Sequence, residues 1–225
     1  MKDSLKCHSL FSLDSVLFIK LFHGVNYPWE VLCTLKQRIT ELIENGSEGY
    51  TLLSEGVLVG KDVRIADTAR VEGPVILCDR CEVRHGAYIR GSVILGAGCV
   101  VGNSSEIKNS ILMDGAQIPH FNYVGDSVLG RGSHLGAGAI CSNLRSDKKC
   151  VVIRGENLRV ETSLRKLGAI LGDGVEIGCG AVLCPGTVIG KNTSVYPLTL
   201  ARGIYPENSI VKDTYTFINK EAALE

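Results

Sequence analysis

From Val59 onward an aliphatic side chain returns at every sixth residue: Val59, Ile65, Val71, Leu77, Val83, Ile89, Leu95, Val101 and Ile107, with Met113 extending the series. Four residues after most of them stands a small or compact residue, as at Val63, Ala69, Val75, Cys81, Ala87, Val93, Cys99 and Ser105. The pattern returns as Leu171, Ile177, Leu183, Ile189 and Val195. A period of six fits neither an amphipathic helix nor a long alternating strand. It fits very short strands broken by regular turns, the arrangement of a parallel β-helix. The large residue points into the coil and the small one fills the corner. Three hexads make one triangular coil of eighteen residues, so residues i and i+18 stack about 4.8 Å apart. The 26 glycines supply the bends, and with only six prolines the chain is neither collagen-like nor a disordered linker.

The expected fold is therefore mainly β, a triangular-prism solenoid over residues 59–213. Residues 1–58 read as an N-terminal helical cap segment and 214–225 as a C-terminal tail. Between Pro28 and Glu44, Trp29, Leu32, Leu35, Ile39, Leu42 and Ile43 share one helical face, with Pro28 suited to the first turn and Asn45-Gly46 to the end. This helix is expected to cover the open end of the first coils. Residues 144–168 break the hexads and carry seven basic against three acidic residues, as a loop projecting from the coil.

Lys plus Arg and Asp plus Glu are 24 each, which argues against a nucleic-acid partner. No apolar run approaches the ~18 residues of a membrane span, and no signal peptide is read, so a cytoplasmic protein is expected. Nine cysteines, an odd and scattered set, read as reduced thiols. Cys78 and Cys81 form a CxxC without the second ligand pair that zinc needs, and no metal is expected.

Arg90 and Lys108 are eighteen apart and each follows an inward aliphatic residue, so both point outward and stack. Two like charges at that separation call for an anion between them, a phosphate or a neighbouring carboxylate such as Glu106. His120 lies in Gln117–Tyr123, where the hexad register slips, and a repeat often breaks its own rule for function. Imidazole is suited to general base work near neutral pH. His85, His120 and His134 lack the spacing of a three-histidine zinc site. No serine sits in a nucleophile elbow. Cys141 and Cys179 read as packing rather than as nucleophiles.

Three stretches carry a resemblance: Gly102–Lys108 (GNSSEIK), Pro119–Asp126 (PHFNYVGD) and Gly136–Asn143 (GAGAICSN). They resemble the acetyltransferase half of the bifunctional N-acetylglucosamine-1-phosphate uridylyltransferase/glucosamine-1-phosphate acetyltransferases, within the hexapeptide-repeat acyltransferase superfamily. Closer still are stand-alone UDP-N-acetylglucosamine pyrophosphorylase-like proteins, through Tyr27–Glu30, Gly172–Gly178 and Pro185–Gly190. The resemblance implies a left-handed coil and an acetyl-CoA-dependent N-acetyltransferase acting on an amino-sugar phosphate, a step in UDP-N-acetylglucosamine biosynthesis. It makes His120 the general base, Glu106 the carboxylate that orients it, and the Ala137 N–H the oxyanion donor. Arg90, Lys108 and Tyr123 hold the sugar phosphate, with Lys149 as a further phosphate-binding lysine. Asn143 contacts the sugar of a neighbouring subunit, and Ala137 and Cys179 contact coenzyme A. A homotrimer is implied.

The glycine-rich start of a uridylyltransferase domain is absent, so nucleotidyltransferase activity is not expected. Leu144 replaces the family's tyrosine and His134 its asparagine, which leaves open a different amino-sugar nucleotide as acceptor. The third reading is a non-catalytic assembly subunit for a separate sugar-phosphate nucleotidyltransferase.

Overall fold

The computed structural model describes residues 2–46 and 49–221. Residues 222–225, the end of the expected tail, lie outside the described residues, as do 1, 47 and 48 of the N-terminal segment. From Val57 the chain winds as a left-handed parallel β-helix whose strands stack into three walls. The first wall begins with Val57–Val59, Val75–Leu77 and Val93–Leu95 and ends with Ile204–Tyr205. The second runs from Arg64–Ile65 through Gln117–His120 and His134–Leu135 to Ser209–Val211. The third carries Arg70–Val71, Tyr88–Ile89, Glu106–Lys108, Tyr123–Gly125, Ile140–Cys141, Val182–Leu183 and Leu200–Ala201. Thr51–Ser54 and Phe217–Asn219 add one antiparallel strand at either end. The tail thus begins as part of a wall, closing an edge that would otherwise offer unpaired backbone groups.

The inward hexad positions fill the prism, with Leu77, Ile89, Leu95 and Ile107 fully buried. Met113 departs from the expectation. Leu77 stacks on Leu95 at eighteen residues, but Leu95 stacks on Leu112 at seventeen. The lost residue is at the corner leaving the third wall. Gly91 and Ser92 turn that corner in one coil, and Asn109 alone turns it in the next. Asn109 and, one coil on, Asp126 do so at φ 42° and 49°, a left-handed conformation that short Asx side chains tolerate. Leu112 therefore takes the inward place, and Met113 packs on the outside in a second apolar cluster.

That second cluster explains the N-terminal segment. The middle residue of each first-wall strand is apolar as well: Ile76, Ile94, Ile111, Val128, Ile170 and Val188. This makes a continuous oily outer face, which the N-terminal segment covers with Leu5, Leu10, Phe11, Phe18, Trp29, Leu35 and Ile39. The expected helix is a 3-10 turn, Pro28–Cys33, followed by an α-helix, Leu35–Glu44. The α-helix packs on strands Val75–Leu77 and Val93–Leu95. Farther up, the Asp173 N–H donates to Leu10 O at 3.0 Å, and Asp173 Oδ2 accepts from the Ser12 N–H at 2.7 Å. The segment is therefore a strap along one side of the prism rather than a lid on its end.

Residues 144–168 form a hairpin, Val152–Gly155 against Leu158–Glu161. It is docked on the coil by Val151, Ile153 and Leu167, all buried. Among the described residues, no helix is long and apolar enough to cross a membrane.

Ile39 is fully buried between strap and wall. Ile39→Ala should cost about 2–5 kcal/mol in urea unfolding, whereas Leu52→Ala, on the exposed end strand, should change stability by less than about 0.5 kcal/mol.

Candidate functional site

The candidate residues lie along two edges of the third wall. At the edge where the chain enters this wall, the turns of successive coils stack through backbone hydrogen bonds. Gly138 N–H donates to His120 O at 3.0 Å, Gly180 N–H to Ala137 O at 2.8 Å, and Leu198 N–H to Cys179 O at 2.9 Å. His120, Ala137 and Cys179 thus form one column, one coil apart. All three are exposed. The Ala137 N–H has no protein acceptor among the described residues.

Asn122 fixes this edge. Its side chain is buried, accepts from the His120 N–H at 3.1 Å, and donates to Gly136 O at 2.8 Å and Ala139 O at 3.2 Å. One amide therefore ties the backbone of His120 to the turn that holds Ala137. The next residue after the histidine, Phe121, is at φ 52° and projects into solvent.

At the opposite edge, where the chain leaves the wall, Asp126 is the centre. The residue is only 5% exposed. It accepts from Lys108 Nζ at 3.0 Å, from Asn109 Nδ2 at 2.8 Å, and from Asn143 Nδ2. Asn109, Asp126 and Asn143 stand at this corner in consecutive coils, seventeen apart; the first two turn it alone, and the excursion 144–168 follows the third. Gly125 leaves room for this. A Cβ there would lie 2.6 Å from Asn143 Nδ2 and 2.7 Å from Tyr123 Oη. Burial raises the Tyr123 phenol above its ordinary pKa; Lys108 opposes that shift, and Glu106 and Asp126 add to it. It remains a protonated donor.

Between the edges, Tyr88, Glu106, Tyr123 and Ile140 stack on the outer face of the wall. Arg90 stands at the far edge below Lys108, its guanidinium 5.8 Å from the Tyr88 ring centroid. The like charges of Arg90 and Lys108 are relieved by interleaved carboxylates. Arg90 Nη1 donates to Glu106 Oε1 at 2.6 Å, as Lys108 does to Asp126.

The structure thus gathers Arg90, Glu106, Lys108, Tyr123 and Asn143 on one wall face and its exit edge, with His120, Ala137 and Cys179 at the entry edge. Four placements differ from the expectation, those of Glu106, Asn143, Lys149 and Cys179. Glu106 is bonded to Arg90, and the His120 ring has no hydrogen-bond partner among the described residues. Asn143 joins Asp126 and Tyr123 of its own chain. Lys149 stands exposed on the excursion, with its N–H on Asp147 Oδ1 at 3.2 Å and no bond to the Asp126 cluster. Cys179 is exposed rather than packed, whereas burial pushes the Cys141 thiol up to about 12, which leaves it inert. His134 pairs with Glu176, Nδ1 to Oε2 at 2.9 Å, on the second wall. Cys78 and Cys81 are both buried, and no group of three metal-ligating side chains occurs among the described residues.

Asp126 and Asn122 were not among the residues singled out from the sequence. Asp126 had a signal, standing eighteen residues after Lys108. Asn122 had none beyond its place beside His120.

Residues 71–167 match the family described as GMPPB C-terminal domain. The chain is 32% identical over 191 residues to a bifunctional sugar-1-phosphate nucleotidylyltransferase/acetyltransferase of Sulfurisphaera tokodaii, covering 77% of this chain and 44% of that one. It is 33% identical over 203 residues to the bifunctional protein GlmU of Methanococcus vannielii, covering 88% and 49%. The chain is thus similar to bifunctional sugar-1-phosphate nucleotidylyltransferase/acetyltransferases. The match is to the C-terminal part of the bifunctional proteins, and the chain spans about half the length of these relatives. A solved hexapeptide transferase family protein from Anaplasma phagocytophilum aligns over 74% of this chain and 85% of its own, at 18% identity and a TM-score of 0.34.

Removing the Asp126 carboxylate strands the largely buried Lys108 ammonium and two amides. Asp126→Ala should lower stability in urea unfolding by about 3 kcal/mol, and Asp126→Asn by less.

Proposed function

We propose that the chain transfers an acetyl group from acetyl-CoA to the amine of an amino-sugar phosphate of the glucosamine 1-phosphate kind. The observation that carries this reading is the pairing of edges. A base and an unspent backbone donor share one edge of a wall, and cations with polar donors line the other, a single hexad away from His120 to Asp126. A hexose phosphate has the size to bridge them.

The column at the entry edge fits an acyl thioester. Ala137, Gly138, Cys179 and Gly180 present small side chains and open backbone, so a long thin ligand can lie along them. Acetyl-CoA, when bound, supplies the activated acetyl group. His120 then accepts the proton that the sugar amine sheds as its nitrogen bonds to the acetyl carbon. The Ala137 N–H donates to the carbonyl oxygen as negative charge gathers there. As the C–S bond breaks, the CoA thiolate leaves and takes that proton from His120, so no acyl-enzyme is needed and Cys179 stays unmodified. Arg90, Lys108 and Tyr123 orient the acceptor through its phosphate. Arg90 is already held by Glu106, so the carboxylate aims the guanidinium and must share it with phosphate.

Self-association is part of the same reading. Ile140, Val182 and Leu200 stack along the upper third wall, beside Leu198, which is 83% exposed. An apolar strip next to the column is supported best as the contact between copies in a homotrimer. Leu198→Asp combined with Leu200→Asp should yield monomers in light scattering after size exclusion, with activity lost although His120 is intact.

Purified protein incubated with acetyl-CoA and glucosamine 1-phosphate should give N-acetylated product by mass spectrometry. His120→Ala should slow the reaction by about 10²-fold or more. A fully active His120→Ala protein would remove the histidine from the mechanism. No product with this acceptor or with a panel of amino-sugar phosphates would remove the activity.

A further inference from the structure

The excursion after Asn143 encloses a second space. Hairpin and coil surround a cavity of about 430 Å³, distinct from the His120 column and at the other edge of the third wall. Its lining includes Arg145, Arg154 and Arg202, with Asp147 as the only acidic residue among them. Asp147 is neutralised by a forked pair with Arg145, Nε to Oδ1 at 2.8 Å and Nη2 to Oδ2 at 2.5 Å, and Arg145 holds its carboxyl well below the usual carboxylate range. The guanidinium groups of Arg154 and Arg202 have no acidic or hydrogen-bonding partner among the described residues. The cavity therefore keeps two uncompensated positive charges.

The hairpin places one of them at a cost. Alternation along Val151–Arg154 buries Val151 and Ile153 against the coil and turns Val152 and Arg154 into the cavity. Directly across the hairpin from Arg154 stands Arg159. Like charges directly opposite destabilise a hairpin. Arg159 escapes by pairing with Glu161 at 2.6 Å, and Arg154 does not. The coil side is shaped to admit the strand. Gly203 is at φ 101°, and a Cβ there would lie 2.8 Å from Arg154 O. Arg202 enters beside it. Leu144, Val152, Val182 and Pro185 give the lining its apolar part, and Ser142 and Ser146 add hydroxyls. Size, charge and apolar backing together match a small-molecule pocket.

We propose that this cavity binds the phosphate-bearing part of a nucleotide. Arg154 and Arg202 take the phosphate oxygens, and Leu144, Val152, Val182 and Pro185 back the rest. Ser142 and Leu144, which line it, flank Asn143 of the acceptor site, so the bound phosphate lies next to the sugar position. Two sources share this chemistry, the diphosphate of an amino-sugar nucleotide and the phosphorylated ADP end of coenzyme A. The site is defined without reference to His120 and goes beyond the acetyl-transfer reading.

Calorimetric titration of the full chain tests it, with UDP, CoA, dephospho-CoA and inorganic pyrophosphate as probes. Saturable binding of UDP or CoA is expected, weakened ten-fold or more by Arg154→Gln together with Arg202→Gln, and unchanged by Arg159→Gln. UDP binding that CoA does not displace assigns the site to a nucleotide sugar. CoA bound more tightly than dephospho-CoA, with the difference lost in the double variant, assigns it to the acetyl donor. The proposal falls if neither nucleotide binds at millimolar concentration, if only pyrophosphate binds, or if the double variant binds like the parent. Equal weakening by Arg159→Gln would reduce the effect to general charge and also overturn it. A chain that acetylates nothing yet binds UDP through these arginines would refute the acetyl-transfer reading and leave this one standing.

Discussion

A carboxylate taken out of water has to be surrounded by donors, and Asp126 shows how much geometry follows from meeting that demand. Its three partners come from the two neighbouring coils: Lys108 and Asn109 from below, Asn143 from above. They converge because Asn109 and Asp126 each turn this corner alone, where Gly91 and Ser92 turn it as a pair one coil earlier. The shortening places Asn109, Asp126 and Asn143 in register, and the left-handed backbone at the first two suits their short polar side chains. Lys108 is held at the wall's edge with much of its stem covered, and Tyr123 is drawn against Asn143 over the bare Gly125. The Lys108 edge of the candidate site is thus a by-product of satisfying one buried charge.

The hexad rule reads the prism well because it is a packing rule. A side chain that fills a triangular core must be large at one position and small at the next corner, and Leu77, Ile89, Leu95 and Ile107 obey it. It fails at Met113, where a missing corner residue shifts the frame without leaving any apolar signal, since Ile111, Leu112 and Met113 are all acceptable. It also says nothing about outward positions. The row Ile76, Ile94, Ile111, Val128, Ile170 and Val188 is visible in the sequence only once the three walls are treated separately. Treated so, it predicts a covered wall, and the strap follows.

The site was legible to different depths. Stacking arithmetic alone put Arg90 and Lys108 together, the register slip marked His120, and the resemblance added Ala137 and Cys179, which the backbone ladder brings to one edge with the histidine. What could not be read was which acid meets which base. Glu106 has Arg90 on one side and the His120 edge on the other, and side-chain reach, not register, gives it to Arg90. Asn122 was hidden for a related reason. Its role is to hold main-chain groups of two coils, and such bonds carry no residue pattern. The hairpin's alternation was legible, but that Arg154 would face a cavity depended on where the coil offered bare backbone.

The strap has a consequence for how the molecule comes apart. In a repeat protein each coil touches only its neighbours, so disorder can enter at an end and travel inward one coil at a time. Here the helix Leu35–Glu44 sits on the early coils, while Leu10, Ser12 and Asp14 reach Asp173 and Arg131 much later in the sequence. Loosening the early coils therefore also loosens the backing of later ones. Long-range coupling of this kind converts a stack that would fray progressively into a body that unfolds as a whole.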